Sequence, residues 1–224
     1  VAGAFITLGG FVTFTLGSIL TAAGCTITKV IMAFSFASAL SLVVMAGAEL
    51  FTGNNFVMAA ASFKKEVSWL DTLKLWVVCY LGNFVGAVIL VALFQLGGVP
   101  KGATGEYFAT IAAGKMGGTA SALFFKGMLC NMLVCLAVWC CTKLKTESGK
   151  LIMIFWCIYI FMACGFEHSI ANMSVMAVGL LNGAGVEGVS IAGYFHNLLW
   201  VTLGNVAGGA LLVAFPYYII QKEK

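Results

Sequence analysis

Charge is what this sequence has least of. Charged residues make up 9% of the 224 residues and arginine is absent, whereas a soluble domain carries roughly 25% charged residues. This scarcity excludes a soluble helical bundle, and without any stretch in which basic and aromatic residues alternate it also argues against nucleic-acid binding. The eight cysteines form no CxxC pair, so we expect thiols that pack like small hydrophobic side chains, with no metal site and no cofactor.

The uncharged residues come in long blocks, and about 20 apolar residues are enough to cross the hydrocarbon core of a bilayer. Four blocks are each long enough: 1–23, 75–98, 119–142 and 190–221. Two further pairs of blocks are interrupted by polar clusters, 30–48 with 50–63 and 151–166 with 169–186. We interpret each pair as one broken span. The sequence therefore predicts an all-α membrane protein with six transmembrane helices, of which the second and fifth are broken.

The lysines predict the orientation of the chain. One side of the membrane receives eight of them: Lys64, Lys65, Lys74, Lys143, Lys145, Lys150, Lys222 and Lys224. The other side receives four: Lys29, Lys101, Lys115 and Lys126. Because cytoplasmic loops are enriched in basic residues, we expect a multi-pass protein of the inner (plasma) membrane with both termini in the cytoplasm. Residues 1–28 have no basic n-region and no cleavage pattern, so they do not predict a signal peptide.

The chain also resembles itself. GAELFTGNNFVM (47–58) matches GFEHSIANMSVM (165–176), and the matched positions include a glutamate and an asparagine. LGNFVGAVILVA (81–92) matches LGNVAGGALLVA (203–214) at seven of twelve positions. Each half holds three spans, an odd number, so the second half enters the membrane from the opposite side. We predict two inverted three-helix repeats, at about 1–98 and 119–221, within a single transmembrane channel domain that covers 1–224.

Two broken helices at matching places indicate a transport path. A break at mid-membrane frees backbone N–H and C=O groups that lipid cannot satisfy, so it persists only beside water, substrate or other protein. It also presents helix ends that carry partial charge. Two GxxxG patterns lie at matching places in the third span of each half, Gly82 with Gly86 and Gly204 with Gly208. They predict close approach of neighbouring helices.

Ionisable side chains in apolar surroundings are candidates for function, because an unpaired charge there costs at least ~2.5–3.5 kcal/mol. Glu49 and Glu167 occupy matching positions, and we expect them to accept hydrogen bonds from backbone N–H groups freed at the breaks. His168 has Leu50 as its counterpart, so symmetry does not require it, and an ordinary pKa of about 6.5 suits it to donate a proton or hydrogen bond in a pore. For Lys126, anion attraction and snorkelling to the interface are both open.

Three segments resemble the formate/nitrite transporter family. VMAGAELFTG (44–53) is similar to the first signature of that family, GMLCNMLVCLA (127–137) to its second, and GFEHSIANM (165–173) to the break in its fifth helix. The three occur in the same order as in the family, and the resemblance covers essentially the whole chain. LFFKGMLCN (123–131), with its lysine, resembles the nitrite and hydrosulfide branches more than the formate branch.

The resemblance implies an aquaporin-like protomer, assembled as a homopentamer with one pore per subunit. A polar loop in the second span places Thr52 in the pore opposite His168. Lys115 matches a lysine of the outer vestibule, and Asn131 and Asn172 match polar positions near the pore. The resemblance also implies an outer hydrophobic constriction of Phe36 and Phe161, and an inner one of Leu40, Leu50, Phe51 and Val134.

Members of this family move small monovalent anions of weak acids, such as nitrite, formate and hydrosulfide, across the lipid bilayer. We therefore expect a channel or transporter and not an enzyme. Lys115 would attract anions to the outer vestibule. We also expect Glu167 to lie at the pore. Between the two constrictions, His168 and Thr52 would replace lost water as hydrogen-bond donors. Protonation of the anion by His168 would remove its charge and most of its dehydration cost.

Two other functions are open at this stage. A channel for neutral solutes such as water, glycerol or ammonia would share the architecture. The paired Asn-Pro-Ala loops of water channels are absent, however, since neither Pro100 nor Pro216 follows an asparagine. A membrane redox enzyme would need His168 and His196 as axial haem ligands, and two histidines at unmatched depths are weak evidence for one. Placement at the membrane interface otherwise explains His196.

Overall fold

A computed structural model describes residues 1–222, and within that range the chain forms ten α-helices and one π-helical segment. The α-helices are α1 (Ala2–Ala22), α2 (Thr28–Met45), α3 (Phe51–Phe63), α4 (Trp69–Leu96), α5 (Ala103–Met116), α6 (Ala120–Lys143), α7 (Glu147–Cys164), α8 (Ser169–Asn182), α9 (Ile191–Gly209) and α10 (Phe215–Lys222). The π-helical segment, Ala210–Ala214, joins α9 to α10. Lys224, counted above among the cytoplasmic lysines, lies outside the described residues.

Six helical stretches are long and apolar enough to cross a bilayer: α1, α2, α4, α6, α7 and the continuous run Ile191–Gln221. The shorter helices α3 and α8 continue α2 and α7 after breaks at 46–50 and 165–168. This is the all-α architecture of six spans with broken second and fifth helices that the sequence predicts.

Polar side chains determine where four of the membrane-spanning helices begin. The first N–H groups of an α-helix have no partner within the helix, and serine or threonine at the N-cap supplies one. The caps of α4, α6, α7 and α9 each accept a hydrogen bond from the N–H three residues further on; they are Ser68, Thr119, Thr146 and Ser190. Each of these helices therefore begins directly after a serine or threonine that caps it.

Glycine ends the helix before each break. Gly47, two residues after α2, has a φ of 66°, and Gly165, directly after α7, has a φ of 72°. Only glycine adopts this left-handed conformation without steric cost. The two glycines occupy matching repeat positions, so the same device stops both helices.

Matching helices of the two repeats make matching contacts. α2 packs against α7 in the centre, α3 packs on α4, α6 and α9, and α8 packs on α9, α1 and α4. The contacts of α5 have no counterpart in the first half, since α5 packs against α8, α1 and α9. The sequence did not predict α5, which lies in the connector between the third and fourth spans. Its helix is short and lacks a long apolar run, and its buried residues Phe108 and Ala112 contact α8 at Gly179.

The glycines of the GxxxG patterns behave as predicted at three of four positions. A Cβ atom at Gly204 or Gly208 would overlap a backbone carbonyl oxygen of α6, and a Cβ at Gly86 would come within 3.1 Å of the backbone nitrogen of Ala4. At Gly82 a Cβ would meet nothing within 4 Å. The prediction of close packing is wrong for Gly82, which lines a groove instead.

Gly208→Val should destabilise the protein by at least ~1–3 kcal/mol, since overpacking forces helices α6 and α9 apart. The measurement is thermal unfolding of the detergent-purified protein. Gly82→Ala is the matched control, and we expect it to leave stability unchanged or raise it by up to about 1 kcal/mol through helix propensity. Equal losses from the two variants would contradict this packing.

Candidate functional site

One asparagine of α4 closes the first break. The Asn83 side chain accepts the N–H of Phe51 at 3.0 Å and donates to the carbonyl oxygen of Glu49, also at 3.0 Å. Both backbone groups belong to the broken segment, and the amide is buried. A single side chain with one acceptor and one donor thus satisfies two groups that the missing helical turn leaves free.

One asparagine of α9 closes the second break in the same way. The Asn205 side chain accepts the N–H of Ser169 at 2.9 Å and donates to the carbonyl oxygen of Glu167 at 3.0 Å. It also donates to the carbonyl oxygen of Gly127 on α6 at 2.8 Å. The hydrogen bonds of the first break are therefore repeated in the second, with one addition.

The two break carboxylates do not bond as expected. Among the described residues, Glu49 accepts from Asn54 Nδ2 at 2.8 Å and Glu167 accepts from Asn172 Nδ2 at 2.6 Å, with no backbone N–H as donor to either. The expectation that the glutamates bind freed backbone N–H groups is wrong, because the asparagines of α4 and α9 already occupy those groups. Each carboxylate instead fixes an asparagine in the following half-helix.

Lys115 pairs with the second of these carboxylates. Its Nζ lies 2.8 Å from Glu167 Oε2, and the two side chains are 17% and 9% exposed. The carbonyl oxygen of Lys115 accepts a bond from Asn197 of α9. The lysine comes from α5, a helix that the sequence did not predict. The residues around Glu167 in the sequence therefore gave no indication that Lys115 is its partner. The pair lies in the wall of a cavity of about 460 Å³ between α1, α2, α5 and α7.

His168 is the N-cap of α8, and that role fixes its protonation. Its Nδ1 accepts the N–H of Ala171 at 3.2 Å, and its Nε2 lies 2.9 Å from Thr52 Oγ1. An Nδ1 that accepts carries no hydrogen, so the ring is neutral and its hydrogen is on Nε2. Nε2–H therefore donates to Thr52, and the Thr52 hydroxyl keeps its own hydrogen for a further acceptor.

This contact also joins the starts of two half-helices. α3 begins at Phe51 and α8 at Ser169, so Thr52 and His168 each stand in the first turn or at the cap. The N-terminal end of a helix carries roughly half a positive elementary charge. Two such ends from opposite halves of the chain meet at one buried hydrogen bond, which creates a region of positive potential without a charged side chain.

Apolar side chains surround the histidine–threonine pair. The rings of Phe36 and Phe161 meet edge to face with centroids 5.7 Å apart, and Phe161 stacks on His168 at 6.1 Å. The four residues expected at the inner constriction belong to the same buried cluster: Leu40, Leu50, Phe51 and Val134. The Phe51 ring lies edge-on against Tyr80 of α4.

Asn131 supports this region from α6. Its amide donates to the carbonyl oxygens of Thr52 at 3.1 Å and Asn205 at 2.6 Å, and to Asn55 Oδ1 at 3.0 Å. It therefore connects the start of α3 to α9, at a residue that precedes the π-helical segment. This position is in the wall around Thr52.

Two residues singled out from the sequence lie apart from this site. The Lys126 side chain is exposed on α6, and only its carbonyl oxygen reaches the site, as acceptor for the N–H of Glu167 at 3.3 Å. His196 lies in the first turns of α9, where Nε2 is 3.0 Å from the carbonyl oxygen of Gly118. The structure does not bring the Lys126 ammonium to His168.

The match to known proteins covers almost the whole described chain. A family model described as formate/nitrite transporter matches residues 1–219. The chain belongs to the formate/nitrite transporter family. The resemblance noted from the three sequence segments is thereby confirmed.

Individual members of the formate/nitrite transporter family match this chain over four fifths or more of their own length. The nitrite transporter NirC of Escherichia coli is 40% identical over 97% of this chain and 80% of its own. A solved structure described as an FNT family ion channel superposes with a TM-score of 0.90 at 36% identity, covering 98% of this chain and 86% of that one. A pentameric formate channel with formate bound gives 0.85 at 28% identity, covering 99% and 94%.

Sequence reasoning missed Asn83 and Asn205 as functional residues of this family member. Both stand in the repeated LGN segments, where the identity was assigned to helix packing alone. The signal was present, since a polar residue at matching depth in two apolar spans needs a partner. The partners turned out to be four backbone groups at the two breaks: an N–H and a C=O at each.

Asn205→Ala should destabilise the protein more than Asn83→Ala, because it deletes three buried hydrogen bonds and not two. Each group left unsatisfied costs ~1–3 kcal/mol. Thermal unfolding of the detergent-purified variants measures the difference. Asn182→Ala, at the end of α8, removes only a bond to its own helix and is the control. If all three variants lose the same stability, the asparagines do not hold the breaks.

Proposed function

We propose that this chain is a membrane channel for small monovalent anions of weak acids, such as nitrite, formate and hydrosulfide. The observation that carries the proposal is the meeting of two helix N-terminal ends at the Thr52–His168 hydrogen bond. Half-helix N-termini near the bilayer midplane favour anionic groups. The names of the relatives, a nitrite transporter and a formate channel, support the same class of solute.

The proposed route begins in the 460 Å³ cavity, which serves as the outer vestibule. Lys29 and Lys115 line it, and Glu167 lies beside them. Because Lys115 is paired with Glu167, its field is partly cancelled, and Lys29 contributes more to the attraction of anions than the sequence suggested. The pair holds the second break in place beside the vestibule.

The anion then passes the outer constriction, Phe36 and Phe161, and reaches the donors of the central site. Apolar rings offer nothing to replace hydration, so a bare charge is costly there. The Thr52 hydroxyl offers its free hydrogen, and the two helix ends contribute fixed positive potential. Because Nδ1 of His168 accepts the N–H of Ala171, the neutral ring has no proton to give up. An anion that takes up a proton from vestibule water becomes a neutral acid, for which the inner apolar ring of Leu40, Leu50, Phe51 and Val134 is a smaller barrier.

Assembly and orientation follow from the same relatives and from the lysines. One of the similar solved structures is described as a pentamer, and we propose that this chain forms a pentamer with one pore per subunit. The bias of eight lysines against four supports an inner-membrane protein with both termini in the cytoplasm. The 40% identity to a nitrite transporter and the string around Lys126 favour nitrite or hydrosulfide over formate as solute.

Reconstitution into liposomes tests the function through Thr52 and His168. We expect nitrite and formate flux in the wild-type protein, and a decrease of about 10- to 100-fold in Thr52→Val, since a hydrogen bond to a charged group is worth ~1.5–3 kcal/mol. Thr52→Ser retains the hydroxyl and is the matched control. His168→Asn keeps an N-cap for α8 but removes the Nε2–H that fixes the Thr52 hydroxyl, so flux should fall by less than in Thr52→Val.

Osmotic swelling with glycerol and water in the same liposomes distinguishes a neutral-solute channel. Rapid swelling without anion flux would sink the proposal. Unchanged flux in Thr52→Val would remove the donor role of the hydroxyl even if anions pass.

Lys115 and Glu167 make a second test, because they form a buried ion pair. Lys115→Met leaves a carboxylate uncompensated beside the vestibule, and breaking a buried pair costs ~3–5 kcal/mol. We expect reduced stability and reduced anion flux. Lys115→Met combined with Glu167→Gln removes both charges and should recover most of both losses. The single variant Glu167→Gln completes the comparison. If the double variant loses as much stability and flux as the two single variants together, the two residues act independently.

A further inference from the structure

Tyr107 is a residue of the outer vestibule to which neither the sequence nor the proposed route assigns a role. It lies in α5 and lines the cavity of about 460 Å³ with Lys29 and Lys115. Helices α1, α2, α5 and α7 of one chain form this cavity. The Tyr107 ring is half-buried against an apolar cluster that includes Phe14 and Phe108. The ring is therefore fixed by packing, and the hydroxyl is the group that is free to bind.

The Tyr107 hydroxyl has a weak hydrogen-bond partner. It donates to the sulfur atom of Met32 on α2 at 3.4 Å, and within residues 1–222 it forms no other hydrogen bond. A thioether is a poor acceptor, whereas a hydrogen bond to an anionic oxygen is shorter and about twice as strong as one between neutral groups. An anion that reaches Tyr107 therefore competes successfully with Met32 for the hydroxyl hydrogen.

A glycine of α1 makes room for this contact. A Cβ atom at Gly17 would lie 2.7 Å from the Met32 sulfur and 2.8 Å from the Tyr107 oxygen, so a larger side chain would displace both groups. Glycine allows the backbone of α1 to approach them closely. The hydroxyl and the sulfur are thus held where α1, α2 and α5 meet.

The contact lies directly outside the outer constriction. Met32, Phe36 and Leu40 follow one another at intervals of four residues on α2, and all three are buried. Residues four apart lie on the same face of an α-helix. This face therefore leads from the vestibule to the outer constriction and on to the inner one, and Met32 is at its outer end. The axial distance from Met32 to Phe36 is about 6 Å, the rise of four helical residues.

The lysines of the vestibule and Tyr107 act differently on an anion. An ammonium group attracts an anion over distance, but it is a point charge on a flexible four-carbon stem. Lys115 is in addition paired with Glu167. The hydroxyl of Tyr107 is neutral and is carried by a packed ring, so it offers a hydrogen at a fixed place. It therefore selects for the position and the acceptor atom of the anion, whereas the lysines select for charge alone.

We propose that Tyr107 is an anion-binding and specificity-determining residue of the outer vestibule, and that its hydroxyl turns from the Met32 sulfur to a small oxyanion before the anion passes Phe36. This inference rests on the proposed function, since it defines the first binding step of that route. Nitrite and formate offer oxygen acceptors, for which the exchange is favourable. Hydrosulfide offers sulfur and gains less from the exchange, so Tyr107 favours oxyanions.

Nitrite flux into liposomes, measured over a range of nitrite concentrations, tests the role of the hydroxyl. Tyr107→Phe keeps the ring and deletes the hydroxyl, so the half-saturating nitrite concentration should rise about fivefold or more, because a hydrogen bond to a charged group is lost. Maximal flux should stay near the wild-type value, since both constrictions are intact. The half-saturating concentration of hydrosulfide should rise less. An unchanged value for nitrite, or equal rises for the two anions, would overturn the proposal.

Two further variants separate anion binding from packing. Met32→Leu conserves volume and removes the sulfur but leaves the donor, so the half-saturating nitrite concentration should not rise. Thr110→Val removes a different hydroxyl from the same cavity, one that is bonded within α5 to the carbonyl oxygen of Glu106, and should have no effect. If Met32→Leu raises the half-saturating concentration as much as Tyr107→Phe does, the contact between the two side chains is structural and the proposal is wrong.

Binding in the absence of transport gives an independent measurement. Fluorotyrosine in place of Tyr107 reports on the hydroxyl by fluorine NMR of the detergent-purified protein. Sodium nitrite should shift its resonance saturably, whereas sodium gluconate at equal ionic strength should not. A saturable shift in a protein that passes no anions would support the vestibule site and contradict the proposed channel function. Anion flux without a saturable shift would support the channel function and overturn the role of Tyr107.

Discussion

Everything at the centre of this protein depends on satisfying the backbone of two interrupted helices within a bilayer. Lipid offers no hydrogen bonds, so every freed N–H and C=O must find a partner inside the protein. Asn83 and Asn205 supply them, each accepting from one side of its break and donating to the other. With those bonds in place, α3 and α8 can begin at mid-depth and direct their N-terminal ends toward one another.

The residues that hold the two breaks, which we call the frame, are repeated in both halves of the chain, whereas the central site is not. The frame residues occur twice, as Glu49 and Glu167, then as Asn83 and Asn205. Thr52 and His168 have Ile170 and Leu50 as counterparts in the repeat alignment, so neither is duplicated. The structural requirements at the breaks are the same in both halves. The solute, however, needs only one set of hydrogen-bond donors, the Thr52–His168 pair. This separation explains why symmetry locates the breaks and departures from symmetry locate the chemistry.

The sequence predicts the frame well because its signals are physical and local. Long uncharged blocks reveal the spans, and Gly47 and Gly165 occur where the helices stop. The opposition of Thr52 and His168 came only from family resemblance, since nothing in the spacing of two residues 116 positions apart indicates contact. α5 was not predicted, because its helix is short and is stabilised by packing on Gly179 more than by its own pattern. The Lys115–Glu167 pair could not be foreseen without it.

The cap on α8 gives the central hydrogen bonds a direction. Since Nδ1 of His168 is occupied by the N–H of Ala171, the ring donates toward Thr52, which leaves the hydroxyl hydrogen free to donate onward. A solute at this point meets the hydroxyl hydrogen of Thr52, while His168 Nε2–H occupies one lone pair of the hydroxyl oxygen. Sodium or potassium would meet this hydrogen and the positive ends of two helices, so the backbone itself makes the central site unfavourable for a cation.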